Sequence, residues 1–149
     1  IAAKLASNRT LAALSLEQNE LDEKAAPSLA EALKANTTLS TLWLGKNNLK
    51  NEGVPPIADA LIANKQTKLA VLDVQKNALG LAAAKKCAQL LSECFSIACL
   101  SVVGIKMEFT ENEALQAAAK EKPEAGRVKA VRLWFGTDTK NFPEFGSEK

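Results

Sequence analysis

Histidine and tyrosine are both absent from this 149-residue chain. Without histidine the commonest general base and the commonest metal ligand are missing, so Ser-His-Asp and Cys-His catalysis and His-rich zinc sites are excluded by inventory alone. Cysteine is scarce. Cys87, Cys94 and Cys99 form no CxxC pair and are odd in number, which argues for reduced thiols in a cytosolic protein rather than a disulfide framework. An excess of one charge is also missing: 19 basic and 17 acidic residues, interspersed, leave +2, with no electrostatic footprint for nucleic acid or an anionic membrane. No apolar run reaches the roughly 18 residues of a membrane span. The opening IAAKLASNRT has neither the apolar stretch nor the cleavage pattern of a signal peptide. These absences predict a soluble, cytoplasmic, non-enzymatic protein with no cofactor and no metal. The start at Ile1 rather than methionine adds the expectation of a piece from a longer protein.

What is present is a repeat. LAALSLEQNEL (Leu11 to Leu21), LSTLWLGKNNL (Leu39 to Leu49) and LAVLDVQKNAL (Leu69 to Leu79) share the pattern L-x-x-L-x-L/V-x-x-N-x-L at spacings of 28 and 30 residues, and a fixed period of this length is the signature of a solenoid. Weaker copies are read from Leu100 (LSVVGIKME) and Val128 (VKAVRLWFG), without the asparagine. Between them PSLAEALKAN (Pro27 to Asn36) matches PPIADALIAN (Pro55 to Asn64), with apolar residues recurring on one helical face. The prolines are expected in the first turn, where a missing N–H costs little. KKCAQLLSEC puts Cys87 and Leu91 on the same face, and IAAKLASN aligns as the helix of an earlier unit, Leu5 over Leu33 and Asn8 over Asn36.

This pattern resembles the leucine-rich repeats of the ribonuclease-inhibitor-like subfamily, whose units have about this length and end in a phrase seen here as ANTTL and SNRTL. The resemblance implies an α/β fold: a right-handed solenoid, a partial horseshoe with a parallel β-sheet on the concave face and helices on the convex face. It covers about five strand–helix repeats over residues 1–135, leaving 136–149 as a C-terminal cap, with Phe142 and Phe145 folding back, or as a disordered tail. No single unit can bury its leucine face, so stacking neighbours makes one continuous core. By the same resemblance Asn19, Asn47 and Asn77 form an internal ladder that satisfies backbone groups in the turn leaving each strand. The cysteines fill core or near-core spaces; Lys85 and Lys86 beside Cys87 are the feature that could lower a thiol pKa.

Strand alternation then sorts the faces. With Leu14/Leu16, Leu42/Leu44, Leu72/Val74, Val103/Ile105 and Val131/Leu133 inward, the concave surface carries a central column of Ser15, Trp43, Asp73, Gly104 and Arg132. The column before it is Ala13, Thr41, Val71, Val102 and Ala130, and the one after is Glu17, Gly45, Gln75, Lys106 and Trp134. Both tryptophans of the chain fall in this patch, and Gly45 and Gly104 leave hollows beside them. Tryptophan and arginine are enriched at binding hot spots, so Glu17, Thr41, Trp43, Asp73, Gln75, Lys106, Arg132 and Trp134 are the candidate partner-binding residues. The rival reading has Trp43 lying flat on neighbouring aliphatic stems and Trp134 covering the last strand. The expected role is a protein-interaction module, monomeric as a fragment, from a scaffold or sensor. The alternatives are a Ran-type GTPase-activating regulator, disfavoured by the short, mixed-charge tail GSEK, and a tropomodulin-like actin-capping protein.

Overall fold

A computed structural model describes residues 1–102 of the chain. Among the described residues four helices alternate with four strands: α1 (Ala2–Ser7), β1 (Ala13–Ser15), α2 (Ala26–Ala35), β2 (Thr41–Trp43), α3 (Lys50–Ala63), β3 (Val71–Asp73), α4 (Leu81–Glu93) and β4 (Cys99–Ser101). The strands form one parallel sheet in chain order, with Leu14, Leu42, Leu72 and Leu100 aligned across it. Each helix contacts the next helix along. The result is two layers, as expected when every unit supplies one strand, one crossover helix and one apolar face that only its neighbours can cover.

The core lies between the layers. Leu42, Leu44, Leu72 and Val74 from the strand segments are sealed by Leu29, Leu33, Ile57, Leu61, Cys87 and Leu91 from the helices, all buried. The i, i+4 pairs read from the helical segments are therefore the residues that face the sheet. Gly53 marks a close approach within this layer: a Cβ there would stand 2.9 Å from the Leu49 Cβ, which is why a small residue is placed at the start of α3.

Two sequence expectations are corrected. Pro27 does sit at the start of α2, but α3 begins at Lys50, so Pro55 and Pro56 lie inside it. The segment KNEGV winds onto the helix ahead of the prolines, with Gly53 N–H donating to the Leu49 carbonyl at 2.9 Å. The second correction is the register of the fourth unit. Cys99, Leu100 and Ser101 pair with Val71, Leu72 and Asp73, so Leu100 and Val102, both fully buried, take the inward places expected for Val103 and Ile105. The unit is headed by Ile97, fully buried and 28 residues after Leu69, rather than by Leu100. An isoleucine fills the leucine's space, and a leucine-led alignment slips by three residues.

That slip alters the outer face of the sheet. Asp73 has Ser101 beside it, not Gly104, and Val71 has Cys99, not Val102. The alignment that placed Lys106 in the following column loses its anchor. Lys106, Arg132 and Trp134, together with the expected fifth strand, the 1–135 limit and the 136–149 cap or tail, lie outside the described residues.

Candidate interaction face

On the face of the sheet turned away from the helices, β1 to β4 present two rows of side chains. Ala13, Thr41, Val71 and Cys99 form one, and Ser15, Trp43, Asp73 and Ser101 the other. Trp43 is half-buried between Leu42 and Leu44, which are both completely buried. Thr41, Val71 and Cys99 are half-buried around it, and so are Glu17 and Gln75 just beyond the strands. Glu17 is not free: its Oε1 is ion-paired with Lys46 Nζ at 2.9 Å.

Asp73 departs from a simple surface residue. It is only 2% exposed, and both carboxylate oxygens are held by Gln75, whose backbone N–H donates to Oδ1 and whose Nε2 donates to Oδ2, each at 2.9 Å. Ser15 holds the same register in β1 and accepts only a long bond, 3.5 Å, from Glu17 N–H. Burial pushes the Asp73 carboxyl above its ordinary value, and Glu17 adds to the rise; the Gln75 donors and the nearby Ser101 hydroxyl oppose it without cancelling it. The Ser101 Oγ is itself buried and makes no hydrogen bond of good geometry. Among the described residues Asp73 has no ion pair.

The hollow expected at Gly45 is occupied. A Cβ on Gly45 would stand 3.0 Å from Asp73 Oδ2 and 3.0 Å from Gln75 Cγ, so the missing side chain is the space that the Asp73–Gln75 pair fills.

Behind the strands, Asn47 donates through Nδ2 to the carbonyls of Leu16 and Leu44, both at 2.8 Å, and accepts through Oδ1 from the N–H groups of Asn19 and Leu21, both at 3.0 Å. Asn77 repeats this one unit on, donating to Leu44 and Val74 and accepting from Leu49. Asn19 is exposed and donates to the Glu17 carbonyl within its own unit. The residue before each asparagine is left-handed, with φ of 59° at Gln18, 54° at Lys46 and 52° at Lys76. That turn aims backbone groups sideways, and the asparagine amides satisfy them.

A second ladder was not assigned from the sequence. Asn8, Asn36 and Asn64 end α1, α2 and α3. Asn36 Nδ2 donates to the carbonyls of Leu5 and Asn8 in the preceding unit (2.8 and 3.1 Å), and its Oδ1 accepts from Thr38 and Leu39 N–H (3.0 and 2.8 Å). Asn64 does the same to Leu33 and Asn36, at 2.9 and 2.7 Å. Cys94 stands in this place at the end of α4 and has no amide to offer. The signal was present as the recurring N in SNRTL and ANTTL; what it lacked was a reason, which only the stacked helix ends supply.

Burial pushes the Cys87 thiol up to about 12, the opposite of activation by Lys85 and Lys86, and Cys94 is buried as well. Among the described residues no three His, Cys, Asp or Glu side chains are grouped to hold a metal, and no helix is long and apolar enough to cross a membrane.

No protein-family model matches this chain, and no curated protein matches it. Among solved structures it is similar to one titled Leiomodin-1 Actin-Binding Site 2, with a TM-score of 0.67 and 24% identity over 81% of this chain and 69% of that one. At that identity the likeness is one of fold: a leucine-rich-repeat-like arrangement in which a parallel sheet alternates with helices.

Proposed function

We propose that this chain is a non-enzymatic protein-interaction module that binds a protein partner through the outer, concave face of its sheet. The observation that carries the reading is Trp43, turned outward between two completely buried leucines. A large aromatic there adds little to the core, whereas rigid aromatic area is what binding hot spots use. The absence of histidine and the raised pKa of Cys87 favour binding over catalysis. A right-handed, ribonuclease-inhibitor-like solenoid is the form this reading takes, supported by the period of 28 to 30 residues and by the strong preference of parallel crossovers for the right hand. A cytoplasmic scaffold or sensor is the setting that three thiols without a disulfide pattern favour.

The fold likeness to an actin-binding site supports a second reading, in which the partner is actin. Co-sedimentation with filamentous actin separates the two, and a chain left wholly in the supernatant rejects the second. For the first, affinity capture is run with the wild-type chain, with Trp43→Ala and with Lys34→Ala on the exposed side of α2. The expected result is that Trp43→Ala alone loses partners, weakening a defined one by about 2 kcal/mol or more. Identical retained sets for all three would reject the sheet face as the binding surface.

A further inference from the structure

Asp73 is the only acid in the two strand rows of β1 to β4. It is nearly sealed at 2% exposure, its two bonds come from the uncharged groups of one residue, Gln75, and among the described residues no cation balances it. A carboxylate kept this way is costly. The turn it braces does not require the charge, since the same register in β1 is served by Ser15.

Beside it, one strand away and in register, is Trp43. Adjacent strands lie about 4.8 Å apart, so a group seated between them touches both. A carboxylate offers about four acceptor sites, of which Gln75 fills two. Its side-chain donor stands on Oδ2 at 2.9 Å, on a half-buried residue just beyond the strand, and that is where an incoming N–H would stand.

We infer that Trp43 and Asp73 form a receptor for a basic side chain, an arginine or lysine of the protein partner, with the Gln75 amide holding the place of its N–H donor until the partner arrives. The cation lies against the indole face and bonds the carboxylate, joining a cation–π contact to a charge-assisted hydrogen bond. An acidic side chain is repelled by Asp73, and an apolar one seals the charge without compensating it. A bound cation opposes the rise in the Asp73 pKa that burial causes. This inference rests on the sheet face being the binding surface and adds the chemistry of what it takes.

The test uses the full chain carrying Trp134→Phe, which leaves Trp43 as the only tryptophan of the two, and follows its fluorescence during titration with arginine amide and with the neutral isostere citrulline amide. Arginine amide is expected to give a saturable change at least about tenfold stronger in affinity than citrulline amide. Asp73→Asn and Asp73→Ser should reduce arginine amide to the citrulline level, and Gln75→Ala should tighten it. Two neutral variants are used so that whichever melts as cooperatively as the parent decides. Equal responses to the two amides, or an unchanged arginine response in a folded Asp73 variant, would overturn the inference. A Trp43→Ala loss in partner capture would then still support the sheet face as the binding surface, so the two ideas fail separately.

Discussion

Asn64 reaches back 28 residues to donate its side-chain N–H to the Asn36 carbonyl at 2.7 Å, while Asn36 makes the same reach to Asn8. The ends of α2 and α3 are thereby each tied to the helix end before them by a buried asparagine amide. Helix ends leave carbonyls without intrahelical partners, and here the stacking period itself delivers the donors.

Replacing Asn36 with alanine should therefore strand the buried Leu39 N–H and take one of two donors from the Leu5 carbonyl, which keeps the Asn8 N–H at 3.2 Å. The expected loss is about 1–3 kcal/mol, read as a lower midpoint in urea denaturation. A midpoint unchanged within error removes the second ladder as a stabilising device.

The first ladder makes an asymmetric prediction. Asn47→Ala should cost about 1–3 kcal/mol because it serves two units. Asn19→Ala, on an exposed residue bonded within its own unit, should stay within about 0.5 kcal/mol. Equal losses at the two positions would mean that the ladder carries no cross-unit stabilisation.

For Asp73 the sign of the pH effect follows from burial. Its folded pKa is raised, so between the ordinary carboxylate value and the raised one the native state holds more protons than the unfolded state. Its contribution then favours the fold below that window and is lost as pH rises through it. Asp73→Asn keeps an acceptor for the Gln75 N–H and should abolish this loss, gaining stability over the parent as pH rises from the acidic range to neutral. Denaturation midpoints measured across pH 3–8 in about unit steps check this; parallel profiles for parent and variant would contradict it.

The thiols should separate by access. Cys87, fully buried with its pKa near 12, should resist alkylation in the native chain and react only when the chain unfolds, whereas half-buried Cys99 reacts first. Mass-resolved labelling decides this, and Cys87 modified as fast as Cys99 would place it outside the core.

The sequence by itself determined the repeat, its period, the leucines that form the core and the outward turn of Trp43, because each of these follows from spacing along one chain. A leucine at every second strand position can bury only one side, and that leaves Trp43 the other. The recurrence of Asn47 and Asn77 at one register was legible for the same reason, while their ladder role was implied by the family resemblance. What only the tertiary structure decided lies between units. The pairing of Leu100 with Leu72 corrected the fourth register, since isoleucine and leucine compete equally for a repeat's first place until strands are aligned. The Asp73–Gln75 clasp over Gly45 and the Asn36–Asn64 tie depend on side chains reaching across a gap that no spacing rule measures. Burial, and with it the raised pKa of Asp73, is a property of the neighbours that surround a residue rather than of its place in the chain.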